Sequence, residues 1–295
     1  MASLAAILQT SGLDRLEARV LAAHALGVER VWISAHENEE INDRAAAQIQ
    51  ALHQRRSAGE PVAYLTGERE FYGLSFSVSP AVLIPRPETE LLVDCALPLL
   101  REGARVLDLG TGSGAIAIAI AHHYPAAEVI ACDASAGALE MARANARRHG
   151  AEVRFMKSDW FSALQGERFD MVVSNPPYIA LGDPHLTQGD LRFEPCEALV
   201  AGVEGVECIE AISAAAVDYL LPGGWLLLEH GHDQGEVCVR MLQQLGFTQI
   251  CDHRDLAGIA RTVQARFGTI CAGTASLSDT SLSDTGASGT SLSVV

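Results

Sequence analysis

The chain lacks any run of basic residues, and this absence limits its partners. Its 295 residues carry a formal net charge of -16 at pH 7, with an isoelectric point near 5.0. Arg55-Arg56 and Arg147-Arg148 are only pairs. An acidic protein without a basic patch is repelled by phosphate backbones. We therefore expect nucleic acid to be a disfavoured partner.

Three further features are missing. The seven cysteines are odd in number and never form C-x-x-C, which predicts reduced thiols, most of them buried, rather than disulfides or a zinc site. The N-terminus has no basic segment ahead of an apolar stretch, so it does not resemble a secretory signal. No apolar run reaches the ~18–20 residues that a membrane span requires. These absences predict a cytoplasmic protein without a membrane anchor.

The first 58 residues have the apolar spacing of helices. Asn42 is placed to cap one of them, which would run through Ala45 and Ile49. Two apolar stripes predict the buried faces of a small helical bundle: Leu4, Ile7 and Leu8, and then Leu13, Leu16, Val20 and Ala23.

A change of character follows at residues 59–87, where glycine and proline are frequent. Apolar and serine residues alternate over Leu74–Val78, which predicts a strand. We expect Val82–Ile84 to return as its hairpin partner. Pro85-Arg86-Pro87 ends this hairpin, and Glu88 begins a helix that runs through Leu100.

From residue 104 onward, predicted strands alternate with predicted helices, which favours a doubly wound, mainly parallel α/β sheet. A last strand at Ala260–Phe267 follows too closely for a helical crossover and should pair antiparallel with its predecessor. The other strands are predicted at Val106–Leu109, Val129–Cys132, Val153–Met156, Met171–Val173, Trp225–Leu228 and Phe247–Cys251. Helices are predicted near 115–122, 137–148, 203–220 and 234–245.

A glycine-rich turn joins the first of these strands to its helix. Gly110, Gly112 and Gly114 allow positive φ and a close approach of a ligand to the backbone. The pattern G-x-G-x-G is one residue shorter than the dinucleotide fingerprint, so the loop alone also fits a structural turn.

An acidic residue strengthens the case for a ligand. Asp133 ends the second strand, 19 residues after Gly114, where a carboxylate accepts hydrogen bonds from both ribose hydroxyls of a bound nucleoside. Alternatively, Asp133 caps the next helix. Trp160 follows the third strand and either packs on an adenine or belongs to the core. Asp108 either braces the loop amides or contacts the cofactor directly. Loop and acid together predict an adenosine-containing cofactor.

The stretch Asn175-Pro176-Pro177-Tyr178 stands where many α/β enzymes carry a nucleophile. The side-chain oxygen of Asn175 and the carbonyl of Pro176 can each accept one N–H, and the Tyr178 ring can stack on a plane. Such a loop suits a planar –NH2 group, whose weak nucleophilicity improves when two acceptors orient it. The substrate nitrogen would then be the nucleophile. A tight loop around a buried tyrosine is the simpler alternative.

These motifs resemble a known family. The segments DLGTGSG and NPPY are typical of class I S-adenosylmethionine-dependent N-methyltransferases. In addition, the chain is similar over residues 5–268 to the HemK-type release-factor glutamine methyltransferases. That similarity rests on four further segments that follow a helical N-terminal region: GEPVAYLTGEREFYGL, LIPRPETE, SNPPYI and DLAGIAR.

The resemblance implies a function and a site. The substrate would be the glutamine of the Gly-Gly-Gln loop of bacterial peptide chain release factors, methylated on its side-chain amide nitrogen. Arg86 and Glu90 would border the pocket, and the family often has an aromatic residue near Leu83. The implied cofactor residues are Gly110, Thr111, Gly112, Ser113, Gly114, Asp133, Trp160 and Asn175. The implied catalytic and substrate residues are Asn175, Pro176, Pro177 and Tyr178.

The expected organisation has four parts. A helical substrate-recognition domain covers residues 1–70, a hairpin linker covers 71–87, and a seven-stranded methyltransferase domain covers 88–268. A Ser/Thr-rich tail at 269–295 is predicted to be disordered. We expect a monomer. We also expect no metal, because His230 and His232 are the only candidate ligand pair in the sequence and have no evident third ligand.

Three rivals remain at this stage. An amino-methyltransferase acting on adenine in DNA or RNA uses the same Asn-Pro-Pro-Tyr chemistry, but it must flip a base and grip phosphates, which the net charge of -16 disfavours. A methyltransferase acting on a ribosomal protein glutamine is the second rival. A non-enzymatic binding module is the third, and it would not need both motifs intact.

Overall fold

The computed structural model describes residues 2–268, so the predicted disordered tail at 269–295 lies outside the described residues. The N-terminal part is helical, with a short antiparallel pair, β1 (Ala2–Ser3) and β2 (Glu40–Ile41). Its helices are α1 (Leu4–Thr10), α2 (Arg15–Leu26), α3 (Arg30–Ala35), α4 (Asp43–Ser57) and α5 (Val62–Thr66).

Side-chain caps define the starts of the two longest N-terminal helices. Asp14 accepts from the backbone N–H groups of Leu16 and Glu17 at the start of α2. Asn42 accepts from the Ala45 N–H at the start of α4, which confirms the predicted cap. Such caps satisfy N–H groups that have no partner within the helix.

The buried face of α2 differs from the predicted stripe. Leu16 is 56% exposed, while Ala18, Leu21 and Ala22 are buried. Helix α2 packs against α1, α3, α4 and α5, and the face toward these neighbours is the one that is buried. The predicted α2 stripe is therefore wrong at Leu16, although its member Ala23 is buried and Leu13 packs against the same core. Leu4, Ile7 and Leu8 on α1 are buried as expected.

The predicted hairpin forms, but the partner of the Leu74–Ser77 strand precedes it in the chain instead of following it. Strands β3 (Glu68–Phe71) and β4 (Leu74–Ser77) pair antiparallel, and residues 82–84 form no strand. The Tyr72-Gly73 turn, with φ of 52° and 74°, lets the chain reverse within two residues. The hairpin residues Phe71 and Phe76 are buried in the same apolar core as residues of the large sheet.

The helix predicted from Glu88 through Leu100 is broken into three pieces. A 3-10 turn covers Pro87–Thr89, α6 covers Glu90–Ala96, and a second 3-10 turn covers Leu97–Leu99. Pro98 has no N–H to donate, which accounts for the early end of α6.

The remaining elements build the predicted α/β sheet. Its order is β12-β13-β11-β8-β5-β6-β7, parallel except at β13, which runs antiparallel to β11 and β12. The doubly wound, mainly parallel seven-stranded fold is confirmed. The seven strands of this sheet are β5 (Arg105–Leu109), β6 (Glu128–Asp133), β7 (Val153–Lys157), β8 (Phe169–Ser174), β11 (Leu220–Glu229), β12 (Thr248–Arg254) and β13 (Ala260–Arg266). Two short strands lie outside it, β9 (Ile179–Ala180) and β10 (Val200–Gly202). The helices are α7 (Ala115–His123), α8 (Ala136–His149), α9 (Glu207–Tyr219) and α10 (Gly235–Gln244).

Two apolar cores cover the two faces of the sheet. One contains α6, α7 and the hairpin aromatics, and the other contains α9 and α10. Strand order reverses between β5 and β8, and open α/β sheets bind ligands at the carboxyl ends of strands beside such a switch. Strands β9 and β10 pair outside the main sheet, and three 3-10 turns lie between them, at Pro184–Thr187, Leu191–Phe193 and Cys196–Ala198.

Within residues 2–268, no helix is both long and apolar enough to cross a membrane. The six described cysteines are free, but only Cys132 and Cys238 are buried, so the prediction that most thiols are buried is wrong. Cys196 and Cys251 are exposed. Cys271 lies outside the described residues.

Candidate active site

The candidate site lies where the carboxyl ends of adjacent parallel strands meet. Leu109 at the end of β5 is level with Cys132 on β6 and with Ser174 on β8. The Ser174 hydroxyl donates to the Leu109 carbonyl over 2.7 Å, which ties two of these ends together. The glycine loop, Asp133 and Asn175 therefore share one edge of the sheet.

The glycine loop turns over the end of β6. The N–H groups of Gly110 and Thr111 both donate to the Cys132 carbonyl, at 2.9 Å each. Gly110 and Gly112 have φ of 70° and 56° and line a cavity. A Cβ on Gly114 would lie 2.7 Å from Ile118 Cδ1. Gly114 thus serves helix packing, while Gly110 and Gly112 face the open side.

Thr111 and Ser113 point away from that cavity. The Thr111 hydroxyl donates to Asp108 Oδ2 over 2.6 Å, and the Ser113 carbonyl accepts from Asn145 Nδ2 over 2.9 Å. Both residues are buried. They hold the loop in shape and are absent from the lining of the cavity.

Asp133 lines the cavity and also braces the loop. Its Oδ2 accepts from the Gly112 N–H over 2.9 Å, and its Oδ1 accepts from the Ser135 N–H over 2.8 Å. Burial raises the pKa of Asp133, while these two backbone donors oppose the rise. The cap of α8 is Ser135, whose side chain accepts from the Ala138 N–H. Each Asp133 oxygen keeps a lone pair for a ligand hydroxyl.

Asp108 is fully buried beneath the loop. Its Oδ1 atom has no hydrogen-bond partner among the described residues, and desolvation raises the pKa of its carboxyl to about 7. Asp108 does not line the cavity. It braces the loop through the Thr111 hydroxyl, rather than through loop amides as predicted.

Trp160 lies at the boundary between the cavity and an apolar core. It lines the cavity and also packs against the second apolar core. Its φ is 45°, an unusual value for a bulky residue, and its carbonyl accepts from the Ser158 hydroxyl over 2.6 Å. A Cβ on Gly110 would lie 3.6 Å from Trp160 Cζ3, so the missing side chain leaves room beside the indole.

The cavity enclosed by these residues has a volume of about 660 Å³. Small-molecule sites commonly occupy about 300–1,000 Å³, with apolar walls and few polar groups. Open glycines, a carboxylate that can accept from ribose hydroxyls and an indole face that can pack on a base are together the groups that an adenosine-containing cofactor needs. The residues present therefore fit S-adenosylmethionine.

A second, smaller cavity of about 160 Å³ adjoins the first. Asn175, Leu83 and Ala198 line both cavities, while Pro176 and Tyr178 line only the smaller one. Pro177 lines the larger cavity instead. Asn175 therefore stands at the junction of the two spaces.

The amide of Asn175 is held at one end. Its Nδ2 donates to Thr89 Oγ1 over 3.1 Å, and within residues 2–268 no donor bonds its Oδ1. This arrangement leaves a carbonyl-type oxygen facing the junction of the cavities. Thr89, which the sequence interpretation treated as part of a helix start, is the residue that holds the amide.

Tyr178 is anchored at both its hydroxyl and its carbonyl. The hydroxyl donates to Glu229 Oε1 over 3.3 Å, and the carbonyl accepts from Gln234 Nε2 over 3.0 Å. Burial and the nearby Glu229 carboxylate raise the pKa of Tyr178 well above its usual range. The ring is therefore neutral and fixed at the wall of the smaller cavity.

Arg86 and Glu90 have separate roles. Arg86 lines the smaller cavity and pairs with Glu194, whose side chain is 0% exposed. Glu194 also accepts from the Ile84 N–H over 3.0 Å, so it joins two walls of the cavity. Glu90 instead accepts from the Tyr72 N–H over 2.8 Å, at the hairpin turn.

Leu83 itself walls both cavities at the position where the family often has an aromatic residue. Sequence reasoning missed Thr89, Glu194 and Glu229. Of these, only Glu229 carried a signal, since it is an acidic residue at the carboxyl end of an apolar strand.

The two histidines do not converge. His230 is buried, with Nδ1 on the Gly231 carbonyl at 2.8 Å and Nε2 on Asp252 Oδ1 at 3.0 Å. The side chain of His232 is 73% exposed. Across the described part of the chain, no group of three or more His, Cys, Asp or Glu side chains is arranged to hold a metal ion.

Two family models match the chain. The model described as the PrmC N-terminal domain matches residues 1–67, and the model described as the methyltransferase small domain matches residues 87–188. The first covers the helical region and the second covers the glycine loop, Asp133 and the Asn-Pro-Pro-Tyr stretch.

Curated relatives match nearly their full length. The release factor glutamine methyltransferase of Bordetella pertussis is 51% identical over 258 residues, which are 86% of this chain and 96% of the relative. The release factor glutamine methyltransferase of Escherichia coli is 45% identical over 262 residues, which are 88% of this chain and 95% of the relative. A solved methyltransferase from Pyrococcus furiosus is 23% identical, with a TM-score of 0.52, and covers 74% of this chain and 98% of its own. At that identity it supports the fold alone.

Proposed function

The chain belongs to the family of release factor glutamine methyltransferases, and we propose that Asn175 orients the amide of the substrate glutamine. The protein transfers a methyl group from S-adenosylmethionine to the side-chain amide nitrogen of a release factor glutamine. We assign that glutamine to the Gly-Gly-Gln loop.

The position of Asn175 between the two cavities carries the proposal. A methyl donor in the larger space and an amide in the smaller space meet beside this one side chain. Its Nδ2 is engaged by Thr89, so its Oδ1 is left to accept an N–H from the amide. The Pro176 carbonyl is the second acceptor, because proline offers no competing N–H.

Orientation is the main catalytic contribution of this loop. An amide nitrogen is a weak nucleophile because its lone pair is delocalised, and two fixed acceptors hold its –NH2 group in a single orientation. Alignment of this kind contributes several kcal/mol in well-organised sites, on the order of a 10²–10³-fold rate gain. The neutral, anchored ring of Tyr178 supplies a flat wall for the amide plane.

On the other side, Gly110, Gly112, Asp133 and Trp160 would hold the cofactor. Asp133 would accept from the ribose hydroxyls, and Trp160 would pack on the adenine. S-adenosylmethionine, when bound, supplies an electrophilic methyl group. Pro176 is buried and Asn175 and Tyr178 are half-buried, which would limit the water that reaches this methyl group.

The finer organisation is also proposed here. The helical region at residues 1–70 would recognise the release factor, with 71–87 as linker and 88–268 as the methyltransferase domain. We assign the enzyme to the cytoplasm, in keeping with six free thiols. We also propose that it acts as a monomer.

The test supplies the protein with labelled S-adenosylmethionine and one of three acceptors. These are a bacterial release factor, duplex DNA and ribosomal RNA. Label should enter only the release factor, and changing its Gly-Gly-Gln glutamine to alanine should abolish incorporation. Label in DNA or RNA but not in the release factor would overturn the assignment in favour of an adenine amino-methyltransferase. That alternative is not favoured by the family or by the net charge of -16.

A further inference from the structure

Among the described residues that line the smaller cavity, Arg86 alone carries a charge. The rest of the lining is apolar, apart from the uncharged polar groups of Asn175 and Tyr178. A guanidinium stays protonated in proteins and binds carboxylates through strong, charge-assisted hydrogen bonds. An unpaired Arg86 would therefore make this cavity a site for a carboxylate side chain instead of an amide.

The charge of Arg86 is offset by Glu194, which lies outside the cavity. Arg86 Nη2 donates to Glu194 Oε1, and Oε2 of the same carboxylate accepts from the Ile84 N–H over 3.0 Å. The Glu194 side chain is 0% exposed and lines neither cavity. Glu194 thus neutralises Arg86 without taking up the space that a substrate needs.

Other groups around the smaller cavity also disfavour a carboxylate. Asn175 Oδ1 and the Pro176 carbonyl, the two acceptors assigned to the substrate amide, would repel a carboxylate oxygen. Glu229 accepts from the Tyr178 hydroxyl over 3.3 Å and adds no positive charge. Arg261, whose charge reaches Tyr178, is itself paired with a carboxylate at 3.3 Å. The selectivity of the cavity therefore depends on whether Arg86 is neutralised.

We propose that Glu194 sets the specificity of the smaller cavity, because its pairing with Arg86 lets the cavity take an uncharged glutamine side chain and exclude a glutamate. This inference rests on the proposed function, since it takes a release factor side chain as the occupant of the cavity. Glutamine and glutamate have nearly the same shape, so the cavity must separate them by charge and hydrogen bonding. Glu194 acts through Arg86 and does not touch the substrate.

Variants that remove one charge or both charges of the pair test this assignment. Glu194→Gln keeps the shape and leaves Arg86 unpaired, Arg86→Gln leaves Glu194 unpaired, and the double variant removes both charges. Glu68→Gln is the matched control, because it takes a carboxylate from a surface pair with Arg148 and lines neither cavity.

Each protein is mixed with a release factor that carries glutamine, glutamate or alanine at the glutamine position of its Gly-Gly-Gln loop. Calorimetry gives the three Kd values in the presence of S-adenosylhomocysteine, which lacks the methyl group that is transferred. The Kd for the glutamate form divided by the Kd for the glutamine form is the selectivity ratio. The Tm of each variant is measured beside it.

The two single variants should move the selectivity ratio in opposite directions. In the unmodified protein and in Glu68→Gln, the glutamate form should bind about tenfold more weakly than the glutamine form, or weaker still. Glu194→Gln should lower the ratio by about tenfold or more, and its glutamate form should bind more tightly than its alanine form. Arg86→Gln should raise the ratio by about threefold or more, and the double variant should return to within about threefold of the unmodified protein.

A purely structural role for the ion pair would change the three Kd values together and leave the ratio unmoved. An unchanged ratio in folded Glu194→Gln overturns the proposal. If the Tm shows that Glu194→Gln does not fold, Arg86→Gln and the double variant decide. The ratio must then rise in the first and return in the second, and any other result overturns the proposal.

The methylation assay separates this inference from the proposed function. If labelled methyl enters the release factor glutamine while the selectivity ratio is the same in all variants, only the role of Glu194 fails. If no label enters the release factor, the proposed function fails, whatever the ratio does.

Discussion

The Nδ2 of Asn175 donates to Thr89 Oγ1 over 3.1 Å, across a separation of 86 residues in the chain. This contact joins the loop after β8 to the 3-10 turn at Pro87–Thr89. One end of the Asn175 amide is thereby engaged by the protein, and the other is left for a ligand. An asparagine at this position is consequently not interchangeable with other polar residues.

The first prediction concerns Asn175→Ala. This change removes the oxygen that would accept from the substrate amide, and loss of one such contact costs on the order of 10²–10³ in rate. We expect kcat/KM for the release factor to fall by about that factor, while calorimetry still detects cofactor binding. The exposed Asn38 offers a control, since Asn38→Ala should leave both quantities unchanged. Full activity of Asn175→Ala would remove the role assigned to this side chain.

The second prediction concerns the pH dependence of stability at Asp108. Its pKa in the folded state, about 7, exceeds the ordinary value of 3.8 for an aspartate, so the folded state binds more protons than the unfolded state between these two pH values. Stability from this group is complete below pH 4 and is lost as pH rises toward 7, by at most about 1.4 kcal/mol per pH unit. Asp108→Asn does not titrate.

From pH 5 to pH 7, the free energy of unfolding of Asp108→Asn should therefore rise relative to that of the unmodified protein. Above pH 7 the difference should become constant. Denaturant unfolding at pH 5, 6, 7 and 8 measures it. Parallel curves for the two proteins would mean that the Asp108 carboxyl titrates near its ordinary pKa.

The third prediction concerns Trp160→Ala. An aromatic contact of this type contributes about 0.5–1.5 kcal/mol, so the cofactor Kd should rise by up to roughly tenfold. The kcat at saturating cofactor should change much less, because Trp160 lies away from the smaller cavity. Trp32, which stacks on His36 in the helical region, is the matched control. An equal change in Kd for Trp32→Ala would point to a general loss of structure.

Much of this architecture could be read from the sequence because its signals are local. Alternating apolar runs, the glycines after β5 and the acid after β6 each reflect a short stretch of chain. Carboxyl ends of parallel strands must share an edge, so Gly110, Asp133 and Asn175 were predicted to lie together, and they do.

The residues that the sequence did not predict depend on contacts between distant parts of the chain. Thr89, Glu194 and Glu229 have their roles only through partners between 51 and 110 residues away in the chain, and one sequence contains no sign of such pairs. The prediction for Leu16 on α2 failed because the neighbouring helices, and not the apolar spacing of α2 itself, decide which side chains are buried. The second strand of the hairpin was misplaced because Val82 and Leu83, although apolar, line the larger cavity instead of pairing with another strand.

The fourth prediction tests whether the helical region supports the substrate cavity. Arg56 on α4 pairs with Glu17 on α2 at 2.8 Å and with Asp190 at 2.9 Å. Asp190 directly precedes Leu191, which lines the smaller cavity. Arg56→Ala should release this segment and lower kcat/KM for the release factor by about threefold to tenfold, a loss on the order of 1 kcal/mol for a partly exposed ion pair.

Because Asp190 lies away from the larger cavity, Arg56→Ala should leave the cofactor Kd unchanged. The adjacent Arg55 offers a matched control, since it forms a bidentate pair only with nearby Glu60 on the surface. Steady-state kinetics with the release factor, run beside calorimetry for the cofactor, distinguishes the outcomes. Equal losses in Arg55→Ala and Arg56→Ala would attribute the effect to the net charge of the helical region and not to its contact with the cavity segment.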